Sequence, residues 1–115
     1  MLLTTILFSI FLGLPHLERP HYTMAQGYVE SNLNKKAVGK AGEKGAWQVR
    51  EKYWGKVPKS LIGQAKHSER ITNELVKRNG GSLFIATVRY NGSGYQARRY
   101  AGKVLQKTFE IAVLG

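Results

Sequence analysis

The sequence predicts an all-α domain. Apolar residues recur at three- and four-residue spacings in several separate segments, and no stretch sustains the period of two expected of a half-buried strand. Gly, Asn and Pro fall between those segments as breaks. A chain of 115 residues can bury one hydrophobic interior and not two, so roughly five or six helices are expected around a single core. There is no internal repeat and no low-complexity segment. The absence of cysteine excludes disulfides and thiolate metal sites, which leaves packing to supply the stability.

The chain divides into an apolar segment over residues 1–14 and a domain over residues 15–115. The first segment is short of the roughly 20 residues that a membrane-spanning helix needs, and its length suits the apolar region of a signal peptide. No Lys or Arg precedes it and no Ala-x-Ala site follows, so an interfacial anchor or a first core helix are the competing readings. Pro15 and Pro20 bracket a turn. The next helix runs from Tyr22 to Val29, where Met24 with Tyr28 and Ala25 with Val29 form i, i+4 pairs that bring Glu30 to its far end. Ser31 to Gly45 reads as a wet, basic loop, and Ala46 to Trp54 as a helix ended by the stretch from Gly55 to Pro58. Ser60 caps the longest helix, which places Leu61, Ala65, Ser68, Thr72 and Leu75 on one face and stops at Asn79-Gly80-Gly81. Leu83, Ala86, Thr87 and Tyr90 make the following stripe, broken by Asn91-Gly92-Ser93-Gly94. The last helix carries Ala97, Tyr100, Ala101, Val104 and Leu105.

Eighteen Lys and Arg against seven acids give a formal charge of +11, which selects a polyanionic partner: nucleic acid, anionic lipid or a bacterial wall. All seven acids are glutamates, which excludes any mechanism built on a Glu and Asp pair. His16, His21 and His67 show no ligand spacing, so neither a metal nor another cofactor is expected. The candidate catalytic group is Glu30. A carboxyl at a helix end, set against Tyr28 and a returning Trp47, loses water, and desolvation raises its pKa toward the range where it holds and donates a proton near neutrality.

Four short motifs then follow one another. Glu30-Ser31 leads into Asn34 and Ala37-Val38; Gly45-Ala46-Trp47-Gln48 comes about 15 residues after the glutamate; Arg89-Tyr90-Asn91-Gly92-Ser93-Gly94 follows a helical hairpin; and Tyr100 precedes Lys103-Val104. Each is weak alone. In this order, from about Tyr22 to Leu105, they resemble the soluble lytic transglycosylase domain, which is related to goose-type lysozyme. The chain departs from that pattern at Gly39, where the family commonly has a loop serine, at Ala46-Trp47 in place of Leu-Met, and at Arg89 in place of a small residue.

The resemblance implies a lysozyme-like helical fold and cleavage of the β-1,4 bond between N-acetylmuramic acid and N-acetylglucosamine. Glu30 would act first as acid and then as base toward the muramic acid C6 hydroxyl, leaving a 1,6-anhydro end. Gln48 would bind the sugar from the groove wall. Tyr90 would orient the Glu30 carboxyl, and Asn91 would bind substrate. Ser31 would touch substrate or satisfy the helix end, and Trp47 and Tyr95 would offer sugar platforms or pack in the core. Tyr100 would lie near the groove or in the core. Glu43 and Glu51, flanked by lysines, are expected in solvent.

The partners implied are peptidoglycan glycan strands, with Lys35, Lys36, Lys40 and Lys44 attracting anionic wall polymers. Membrane association would run through residues 1–14. The implied location is the periplasm or cell wall, or a virion. A hydrolytic muramidase of the goose type, with water in place of the C6 hydroxyl, is the alternative. A basic helical nucleic-acid-binding domain is the alternative of another class, favoured by charge and disfavoured by the lack of a helix-turn-helix or other recognisable binding motif; no specific nucleic acid is expected.

Overall fold

The computed structural model describes residues 17–114, so the expectations for the apolar segment over residues 1–14 lie outside it. The described chain is all-α: α1 (Pro20–Ser31), α2 (Glu51–Trp54), α3 (Leu61–Arg78), α4 (Leu83–Asn91) and α5 (Gly94–Leu114). Among the described residues, extended structure is limited to two isolated antiparallel bridges, Val38 with Lys44 and Lys44 with Val49, and no sheet forms. No helix among them is long and apolar enough to cross a membrane.

Local chemistry sets most of these boundaries. Pro20 occupies the first helical turn of α1, where no N–H is needed. Asn32 closes that helix in the left-handed region at φ 57°, its N–H returning to the Tyr28 carbonyl at 2.9 Å. Ser60 and Ser82 cap α3 and α4, their hydroxyls accepting from the Gly63 and Ile85 amides at 3.0 Å. The helix expected from Ala46 to Trp54 is shorter than the sequence suggests. Ala46 to Gln48 form a turn, because Gly45 and Gln48 take positive φ angles of 83° and 49° and Lys44 pairs with Val49 across it.

Helix α1 is the centre of the molecule. Six consecutive residues, Tyr22 to Gly27, are buried, so the helix is covered all round instead of along one stripe. It packs most extensively on α5 and also meets α3, while α4 packs on α3 and α5. The main core gathers Met24, Ala25, Ala46, Trp47, Val49, Ala65, Ile71 and Leu75.

Trp47 is its largest fully buried side chain at 1% exposure, and its indole Nε1 donates to the Thr23 carbonyl at 2.7 Å. Gly27 makes room for it: a Cβ there would lie 2.8 Å from indole Cε2 and 2.7 Å from Leu33 Cδ2. Trp47 is thus core, and the sugar platform proposed for it is corrected. Its ring is consumed by packing the loop onto α1. Tyr95 is exposed and does not line the cleft described below.

Candidate active site

Glu30 stands in the last turn of α1, where the loop leaves the helix and returns at Gly45. Its carboxyl lines a cleft of about 580 Å³. Burial pushes it up from the ordinary 4.5 to about 7; the Tyr100 phenol, its hydrogen-bond partner, pulls it back, and the nearby Glu43 carboxylate pushes it further up. No Lys or Arg is among the groups that shift it. Desolvation therefore outweighs the protein's positive field at this residue.

A buried polar chain aims the phenol. Ser68 Oγ donates to Gln26 Oε1 at 3.1 Å, which fixes the amide so that Gln26 Nε2 donates to the Tyr100 oxygen at 3.2 Å. With its oxygen accepting from Gln26, the phenol directs its own proton at Glu30. Burial holds Tyr100 far above the ordinary tyrosine range, so it acts as a neutral donor. Gln26 is completely buried and Ser68 nearly so.

Both were missed as functional residues, although the sequence carried a signal. Gln26 is one turn before Glu30 on the same helix face, and Ser68 interrupts an otherwise core-facing stripe of α3.

The expected role of Tyr90 is corrected by this arrangement. Its hydroxyl donates to the Trp47 carbonyl at 2.8 Å, tying α4 to the turn over Ala46 to Gln48, and the bond to Glu30 belongs to Tyr100 instead. Tyr90 still lines the cleft, with Asn91 and Gly92 beside it at the end of α4. Ser31 donates to the Ala46 carbonyl at 2.8 Å and accepts from the Asn34 amide at 3.0 Å. Its hydroxyl thus staples the loop to the helix end, which corrects the substrate contact proposed for it.

Gln48 faces the cleft, and its Nε2 is held by the Gly45 carbonyl at 3.0 Å. Glu43, expected in solvent, also lines the cleft; its Oε1 accepts from the Ala41 amide at 2.8 Å. Gly39 is what lets these two side chains lie together. A Cβ there would come within 2.6 Å of Gln48 Oε1 and 2.7 Å of Glu43 Oε1, so the absent loop serine is replaced by the space they use. Glu51 has a different task. It accepts from Lys44 Nζ and from the Val57 amide, both at 2.8 Å, and the lysine holds its carboxyl below the usual range.

The opposite composition marks the remaining lining, where Arg50, Tyr53, Trp54, Arg78 and Arg89 enter from α2 and the residue before it and from the ends of α3 and α4. Among the described residues, no three His, Cys, Asp or Glu gather into a group able to hold a metal ion. The arrangement can donate a proton from Glu30 to a bound oxygen and take one back. No family model matches this chain, and neither a curated protein nor a solved structure matches it.

Proposed function

We propose that this protein is a peptidoglycan lytic transglycosylase with Glu30 as its single acid and base. The observation that carries the reading is a carboxyl with its pKa near 7, in a cleft of glycan-binding size, addressed by a buried phenol. The order of motifs around Glu30, Gln48, Tyr90 and Tyr100 supports the choice of substrate. Protonated Glu30 gives its proton to the glycosidic oxygen as the C1–O bond breaks, and the bonding pair leaves with that oxygen. The carboxylate then takes the proton of the C6 hydroxyl, whose oxygen bonds to C1 and closes the anhydro ring. Acid and base alternate on one group, and a pKa near the working pH serves both steps.

Glu30→Gln abolishes release of soluble fragments from purified walls while wall binding is retained, and the parent releases fragments lighter than hydrolytic products by one water in mass spectrometry. Lysis by Glu30→Gln equal to the parent would refute the assignment.

The position of Glu43 favours a second reading, hydrolysis, because a carboxylate in the same cleft is what a water-activating base requires. Under the transglycosylase reading, Glu43→Gln leaves the product anhydro and lowers the pKa of Glu30 by removing a neighbouring negative charge. Under hydrolysis, the same variant loses water-containing products.

A further inference from the structure

Beyond the candidate acid, three arginines line the cleft. Arg50 immediately precedes α2, Arg78 is the last residue of α3, and Arg89 lies in the last turn of α4, yet all three line the space that Glu30 faces. Arg50 and Arg89 have no ion-pair partner among the described residues, whereas Arg78 Nε pairs with Glu74 at 3.4 Å. The Arg78 guanidinium also lies 5.4 Å over the Trp54 ring. That tryptophan is held from behind: His67, buried in α3, donates from Nε2 to the Trp54 carbonyl at 2.8 Å.

All three arginines are exposed to solvent while they line the cleft. Three positive charges lining one cleft, with Trp54 beside them, raise the local concentration of an anion. The guanidinium fork matches the planar oxygens of a carboxylate.

We propose that Arg50, Arg78 and Arg89, with Trp54, form an anion subsite for the carboxylates of the peptide substituents on the glycan, so that the substrate is peptide-bearing and not bare glycan. This rests on the lytic transglycosylase reading. Size and continuity select the source of the anion. The arginines share a cleft of about 580 Å³ with Glu30, so the charge they meet is attached close to the scissile bond. A separate phosphate polymer would have to occupy the space of the sugar itself.

Calorimetric titration of the Glu30→Gln protein tests the subsite without turnover. The ligands are a disaccharide carrying its peptide with free carboxylates, the same compound with those carboxylates amidated, the peptide-free disaccharide with its muramic acid carboxyl amidated, and a glycerol phosphate oligomer. The free-carboxylate ligand is expected to bind roughly tenfold tighter than the amidated one. Adding Arg50→Gln and Arg89→Gln erases that difference and leaves the peptide-free disaccharide unaffected.

Equal affinity for the free and amidated ligands overturns the proposal. So does a uniform loss for all the sugars in the arginine variant, or an arginine-dependent preference for the phosphate oligomer. The two readings fail separately. If Glu30 is not the acid, Glu30→Gln still lyses walls while the carboxylate preference stands; if only the subsite is wrong, lysis needs Glu30 while amidation makes no difference.

Discussion

Between pH 4.5 and about 7 the folded protein keeps a proton on Glu30 that the unfolded chain releases. The folded state therefore binds more protons across that window, and stability falls as pH rises through it. The contribution is complete below pH 4.5 and is lost by about pH 7. Glu30→Gln removes the cost of burying the charge, so at pH 8 it is more stable than the parent by on the order of 3 kcal/mol at most. The two converge at pH 4, as measured by urea unfolding at each pH. Tyr100→Phe acts on the same proton in another way. The phenol lowers the pKa of Glu30, so its removal raises that value above 7 and moves the alkaline fall in activity upward. Carbon-detected NMR titration of the glutamate carboxyl measures the shift directly.

The turn over Gly45 to Gln48 shows where helix periodicity is overridden. Ala46 and Trp47 are buried there, although the backbone that carries them is not helical. The backbone is decided by partners far along the chain. Gln64 Oε1 accepts from the Ala46 amide at 2.8 Å, and the Tyr90 hydroxyl holds the Trp47 carbonyl. Those bonds replace the ones a helix would make, and no local signal announces them. Caps were legible for the opposite reason: Ser60 bonds an amide three residues ahead, which is a property of the local chain.

Gly45→Ala tests the turn. Its φ of 83° disfavours a side chain, and a Cβ would lie 2.8 Å from Gln64 Oε1. A loss of about 2–4 kcal/mol is expected from the left-handed backbone and the displaced buried hydrogen bond, read from the denaturation midpoint.

At the scale of the whole molecule, the charge of +11 was plain in the composition, but its distribution was not. Lys35, Lys36 and Lys40 are exposed on the loop after Glu30, while Lys44 is committed to Glu51. Exposed cations steer an anionic polymer over about 10 Å at 0.1 M salt. Replacing Lys35, Lys36 and Lys40 by Gln therefore flattens the salt dependence of wall association, measured by stopped-flow turbidity, and leaves the pH profile unchanged.

The raised pKa of Glu30 was legible because a carboxyl set against aromatic residues at a helix end loses water. The choice between Tyr90 and Tyr100 was not, since both are tyrosines near the cleft and only three-dimensional reach separates them. The arginines were equally hidden: three sequence-distant, individually ordinary cations come to line one cleft only in the folded chain.

The chain's two tryptophans also occupy unlike surroundings. The indole locked between Gly27 and the Thr23 carbonyl is sealed from water, and the other sits at the rim of the cleft under a guanidinium. Intrinsic emission therefore divides into a blue, quencher-resistant fraction that reports whether the protein is folded and a redder, iodide-accessible fraction that reports whether the cleft is occupied. One cuvette can follow denaturation and saturation as independent signals.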